Sequence, residues 1–171
     1  MSLLDEQIVE EWLNRRGFFT TRGVKVGLGE IDLLAVRLAD GSPECWHVEC
    51  QISFRPIGYL GGNTNARRRS EADVKVGIDQ WHHKKFCAPN KVEEQQRLIP
   101  GSTWKQFLVH AEFRHKSEMP LLRELGVELI SYRSILRDLV DEKKTLSSSI
   151  GTNIIEIIRY LNSAQPPNAS E

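Results

Sequence analysis

The stretch Glu30-Ile31-Asp32-Leu33-Leu34-Ala35-Val36 is apolar on both of its faces apart from its acids. A strand of that kind belongs inside a sheet that is covered on both sides. One such strand in a chain of 171 residues calls for further strands beside it and helices above and below, the layered α/β solution. The flanking sequence reads accordingly. Leu4, Ile8, Val9, Trp12 and Leu13 recur at helical spacing and stop at Gly17, which predicts an amphipathic helix over 3–16 ended by a glycine cap. A first strand follows over 18–26, Gly29 separates it from the strand over 30–36, and the turn-forming cluster Ala39-Asp40-Gly41-Ser42-Pro43 leads to a third over 46–53. The first third of the chain is therefore a strand meander on a helix.

Residues 54–69 are rich in Gly, Asn and Arg and have no period, so they form a loop long enough to carry function. Ser70 followed by Asp73 marks a helix start, and Val74, Ile78 and Trp81 give that helix an apolar stripe reaching about Phe86. A second loop with Pro89, Pro100 and Gly101 at its corners precedes a strand over 105–113; a short helix over 120–125, closed by Gly126, leads to a last strand over 127–131. Ile135, Leu136, Leu139 and Val140, then Ile154, Ile155, Ile157, Ile158 and Leu161, predict two helices joined by a Ser-rich break at 147–149. The expected architecture is a helix followed by a central mixed sheet of about five strands flanked by helices, with extra C-terminal helices. One domain spans 1–145, a C-terminal helix over 146–163 packs on it, and the polar, Pro-Pro-containing tail over 164–171 is disordered.

With 23 basic and 23 acidic side chains the formal net charge is zero, which excludes a uniformly basic nucleic-acid binder but not a local basic patch. The balance is uneven along the chain: residues 1–53 carry a net −4, 54–116 a net +6 and 117–171 a net −2. No apolar run approaches the roughly 20 residues of a membrane span, and the N-terminus lacks the basic-then-apolar order of a signal peptide. A soluble cytoplasmic protein without a membrane partner is expected. Cys45, Cys50 and Cys87 are odd in number and irregularly spaced, so free thiols in a reducing compartment are expected.

Asp32 lies in an otherwise apolar strand, and Glu49 lies between Val48 and Cys50 in the next. Burying a lone carboxylate is costly unless it is paired or binds a metal. Strand alternation puts His47, Glu49, Gln51 and Ser53 on one face and Trp46, Val48, Cys50 and Ile52 on the other. If Asp32 opposes the polar face, two carboxylates and an amide converge, a donor set that suits Mg2+ or Mn2+ and therefore phosphodiester chemistry. Two harmless acids on a solvated edge strand are the alternative. A zinc site from Cys45, His47 and Cys50 is disfavoured, because Cys50 faces away from His47 and no further pair completes four ligands. No Walker loop, nucleophile elbow or H-E-x-x-H is present.

Gly29-Glu30-Ile31-Asp32-Leu33-Leu34-Ala35, followed across a turn by His47-Val48-Glu49-Cys50-Gln51, resembles the motif of the PD-(D/E)XK nuclease superfamily, especially its Holliday-junction-resolvase-like members. Glu6, Val9, Leu13 and Gly17 match the spacing of the helix that precedes the first strand in that group, so the resemblance covers residues 6–53. It implies a restriction-endonuclease-like core in which Asp32 and Glu49 ligate a metal with the backbone carbonyl of Cys50, and Glu6 is the helix-borne acid. On the helical wheel Glu6 and Glu11 flank opposite edges of the apolar arc; the motif favours Glu6. Gln51 departs from the usual lysine. Glutamine can orient a water by hydrogen bonds but brings no charge. Some members of the superfamily carry glutamine there, and in others a basic residue of the following helix takes over, for which Lys75 is the candidate.

Arg67, Arg68 and Arg69 in the glycine-flanked loop suit phosphate contact. His82-His83-Lys84-Lys85 reads as a helix C-terminus whose cations suit the macrodipole, and Trp81 as core. The leading expectation is a Mg2+- or Mn2+-dependent endonuclease acting on DNA, with Asp32, Glu49, Gln51 and Glu6 as its catalytic set and Arg67, Arg68, Arg69 and Lys75 on the nucleic acid. A homodimer suits that chemistry, because cutting both strands of a duplex takes two sites. The rivals are a non-cleaving nucleic-acid-binding module of the same fold, through Gln51, and a protein-interaction domain built on the late apolar helices.

Overall fold

The structure is a computed structural model that describes residues 3–56, 58–62, 68–141 and 155–160. Five strands form one open mixed sheet in the order β1-β2-β3-β4-β5: Phe19–Val26, Gly29–Ala39, Ser42–Gln51, Trp104–His110 and Val127–Ser131. The first three run antiparallel, and β3, β4 and β5 run parallel. Helices α1 (Leu3–Arg15), α2 (Glu71–His82), α3 (Pro89–Leu98), α4 (Glu118–Glu124) and α5 (Tyr132–Asp141) flank the sheet, and a π-helical turn, His83–Cys87, extends α2. This is the α/β architecture the hydrophobic pattern implies, including the helix and meander at its start.

Local chemistry fixes the meander. Gly27 takes a φ of 59° in the two-residue turn between Val26 and Gly29, and Asp40 and Gly41 take φ values of 51° and 79° between Ala39 and Ser42. Asp-Gly with both residues at positive φ is the turn whose twist matches paired antiparallel strands. On one face of the sheet Leu33, Ala35, Val48, Cys50, Phe107 and Val109 pack with Ile8, Val9 and Leu13 of α1, Ile135 and Leu139 of α5, and Ile155. On the other face Leu108 packs with Val74 and Ile78 of α2, Phe86 of the π-helical turn and Leu122 of α4. All three cysteines are free thiols.

Three boundaries differ from the sequence reading. The segment after Pro89, expected as a loop, is α3, with Pro89 in its first turn, where the missing N–H costs nothing. Its buried residues are Lys91 and Gln95, so it carries no apolar period to betray it. The second helix gives way to the π-helical turn after His82, and the fourth strand ends at His110, short of Phe113. The Ser-rich break at 147–149 and the tail over 164–171 lie outside the described residues. No described helix is long and apolar enough to cross a membrane.

Candidate active site at the carboxyl ends of the parallel strands

The register of β2 and β3 decides where the acids meet. Leu33 pairs with Val48, so the next position outward sets Asp32 opposite Glu49, both on the face away from α1. The backbone N–H of Cys50 donates to Asp32 Oδ2 at 2.8 Å, which ties the two strands where their ladder ends. Both acids are buried. They sit where the parallel strands present their carboxyl ends, the usual location of a site in an open α/β sheet.

Their environments differ sharply. His47 donates from Nε2 to Glu49 Oε1 at 3.0 Å, and Lys91 Nζ donates to the same oxygen at 2.7 Å. Lys85 Nζ donates to Glu49 Oε2 at 2.5 Å. A carboxylate can only accept, so Nε2 of His47 carries the proton, and Nδ1 accepts from Gln95 Nε2 at 2.7 Å. Lys91 Nζ also reaches the carbonyl oxygen of Lys85 at 2.9 Å, linking α3 to the π-helical turn. Burial alone would raise the Glu49 carboxyl, but the His47 hydrogen bond with Lys85 and Lys91 holds it at about 2. Burial keeps the His47 ring neutral by lowering its pKa.

Asp32 has the opposite balance. Burial, reinforced by the nearby Glu49 charge, lifts it to about 7, against the pull of Lys85 and the Cys50 amide. Glu6, 8% exposed, is raised by burial first, with Arg22 offsetting and Glu49 adding to the rise; its own charge in turn raises Asp32. Three carboxylates thus influence one another at this end of the sheet. Asp32, Lys84, Lys85 and Lys91 line a cavity of about 440 Å3 that opens beside the β1–β2 turn.

The other sequence candidates fall elsewhere. Gln51 is exposed at the end of β3 and lines a separate cavity with His110, Arg55 and Arg114. The Cys50 thiol is buried in the α1 face of the core, leaving its backbone as the group near Asp32. Lys75 is exposed and lines a third cavity with Arg68 and Arg69; the basic residue that reaches the acids is Lys85, which the sequence reading placed on a solvated helix end. Arg67 lies outside the described residues. Lys91, Gln95 and the pairing role of His47 were missed as well. A signal for Lys85 did exist: it falls in phase with Val74, Ile78 and Trp81, the stripe that turns inward. Glu11, the other wheel candidate, is paired with Arg15 Nε at 2.9 Å.

A hard divalent cation needs oxygen donors and relief of their mutual repulsion. Asp32, raised by burial and by two other acids, fits that need, and Glu49 opposite it is ionised. Among the described residues no three acidic, histidine or cysteine side chains are grouped as a closed metal cage. The two carboxylates that could share a cation are Asp32 and Glu49, with water and phosphate oxygens completing its shell, and both oxygens of Glu49 already accept from His47, Lys91 and Lys85.

No family model matches the chain, and no curated protein matches it. Among solved structures, a crystal structure of a protein of unknown function, AF1548, aligns with 92% of this chain and 78% of its own at a TM-score of 0.48 and 17% identity.

Proposed function

We propose that the protein is a Mg2+- or Mn2+-dependent endonuclease of the PD-(D/E)XK, restriction-endonuclease-like type, acting on phosphodiester bonds of DNA. The observation that carries this reading is the opposition of Asp32 and Glu49 on adjacent strands of one buried polar face, with the Lys85 ammonium against Glu49. Asp32 and Glu49 would hold the cation. When bound, it supplies Lewis-acid polarisation of the phosphate and a lowered pKa for a bound water.

The chain's own groups do the rest. His47 and Lys91 fix Oε1 of Glu49 and Lys85 holds Oε2, so the carboxylate is locked in one orientation. Lys85 brings a fixed positive charge to the wall of the cavity that Asp32 lines, where it stabilises negative charge growing on a phosphate. It supplies what Gln51 cannot. Glu6 adds negative potential behind Asp32, strengthening the attraction for a cation.

A second reading, a non-cleaving nucleic-acid-binding module, draws on a different observation: both oxygens of Glu49 already meet lysine ammonium groups. Asp32→Asn separates the two. Asn can still accept from the Cys50 amide, so the variant is expected to fold and bind DNA. Its metal-dependent cleavage of a panel of duplex, branched and single-stranded DNA should fall by roughly a hundredfold or more, the loss of a few kcal/mol of transition-state stabilisation. Full cleavage by the variant would overturn the assignment. Absence of cleavage by the unaltered protein, together with no heat of Mn2+ binding, would favour the second reading.

A further inference from the structure

A short segment between β3 and α2 is held more firmly than a connecting loop requires. Gly61 lies so close to α2 that a Cβ on it would collide with the carbonyl oxygen of Gly77. The buried Glu118 carboxylate accepts from the Leu60 N–H at 2.6 Å. Arg69 donates from its backbone to Tyr59 Oη and from Nη1 to the Gly61 carbonyl oxygen, each at 3.3 Å. What these contacts fix is the Tyr59 ring, which stacks on His115 with centroids 3.7 Å apart and planes 9° from parallel and has the Arg69 guanidinium over it, 5.6 Å from its centroid, so that His115 is the ring of the pair left to meet a ligand.

That aromatic pair stands between two cavities. Tyr59 lines both: one of about 310 Å3 shared with Gln51, Arg55 and Arg114, and one of about 580 Å3 shared with Arg68, Lys75 and His115. Arg55, Arg114, Arg68 and Lys75 make no ion pair or hydrogen bond with another described residue. These four cations flank a planar stack, and Gln51, which lines the first cavity, lies two residues beyond Glu49, about 7 Å along the strand.

We infer that the His115 ring, backed by Tyr59 and lining the larger cavity, is a stacking ledge for an unpaired base, with the neighbouring cations taking the phosphates on either side, so that the substrate enters as a single-stranded or frayed segment. The choice of nucleic acid as ligand rests on the nuclease reading above; the ledge itself rests on this separate geometry. Planar rings recognise the π-face of any base, and guanidinium and ammonium groups track the backbone without regard to sequence. In a duplex those faces are already covered by neighbouring pairs. An unpaired strand offers both features at once.

The test is fluorescence anisotropy in EDTA, where no metal-dependent cleavage occurs, with labelled oligo(dT), an abasic strand of the same length and a blunt duplex. Oligo(dT) should bind most tightly. His115→Ala should weaken oligo(dT) by roughly tenfold, the worth of one stacked base, and leave the abasic strand nearly unaffected. Arg68→Ala with Lys75→Ala, both at exposed positions, should weaken all strands and lower the salt dependence. Equal binding of oligo(dT) and the abasic strand, or of single strand and duplex, would overturn the ledge, as would equal displacement by polyglutamate. Cleavage with no effect of these variants removes the ledge and spares the nuclease reading. Base-dependent binding without any cleavage in Mg2+ or Mn2+ does the reverse.

Discussion

Glu49 is 1% exposed and Lys91 4%, and the two are 2.7 Å apart. Burying such a pair costs several kcal/mol of lost hydration per ion, which close geometry and additional hydrogen bonds must offset. Here His47 and the Lys85 carbonyl add hydrogen bonds to the pair, and Gln95 in turn holds His47. Lys85 differs from Lys91 in reaching partly into the cavity, with 22% of its side chain exposed. Burial opposes its charge, but Glu49 and Asp32 outweigh that and raise its pKa, so it remains an ammonium at neutral pH. On the proposed nuclease reading, Lys85→Met should therefore lower kcat by roughly a hundredfold, as expected for losing a cation that stabilises charge growing on a phosphate. Lys75→Ala should instead raise KM while kcat is kept, since Lys75 lies away from the acids. Steady-state cleavage at saturating and limiting substrate measures both; a kcat unchanged in Lys85→Met would remove it from the chemistry.

Among elements, the segment 58–62, α4 and α2 work as one unit. Glu118, in the first turn of α4, is raised to about 7 by burial, against the Leu60 amide and Arg69, which pull it down. The folded protein thus keeps Glu118 protonated at pH values where the unfolded chain has already ionised it. Stability from this group falls as pH rises from about 4.5 to about 7. Glu118→Gln keeps an acceptor for Leu60 and cannot ionise. Urea unfolding at pH 5 and pH 8 should show wild type losing more stability than the variant across that range. Equal losses would show that Glu118 is not buried in the way described. The π-helical turn is the other element with a local consequence: the stretch that interrupts regular α-helix carries both Lys85, turned to Glu49, and the buried Phe86. Such turns commonly mark functional positions. Helix α3 shows the limit of reading elements from periodicity, since its inward face is polar and its entry carries a proline.

Over the whole molecule, composition sets the zero formal charge, and folding decides where the opposite charges meet. The acidic first third and basic middle third are laid on each other, and Lys85 and Lys91 of the basic segment neutralise Glu49 of the acidic one. Part of the basic segment's positive charge is therefore directed inward. The far end of the described chain is tied to the same body: Ile155 is fully buried in the α1–α5 core, and Arg159 donates to the carbonyl oxygens of Leu139 and Val140 at the end of α5. Ile155→Ala should lower the free energy of unfolding by about 2–5 kcal/mol, as for other fully buried large-to-small changes. Denaturant unfolding checks this, and a loss under about 0.5 kcal/mol, typical of a surface change, would show that the segment contributes little.

Periodicity and turn chemistry alone determine the α/β class, the meander, the Asp-Gly turn and the polar face carrying His47 and Glu49, because these depend on neighbours a few residues apart. The opposition of Asp32 to Glu49 follows once the register is set by that turn. What only the tertiary structure decided is which cations meet the acids. Lys85 and Lys91 lie 36 and 42 residues beyond Glu49, and their approach depends on how α2, the π-helical turn and α3 pack over the sheet. A lysine drawn inward by a buried carboxylate has the same local sequence as one left in water; the difference arises from a partner that the folded chain alone brings within reach.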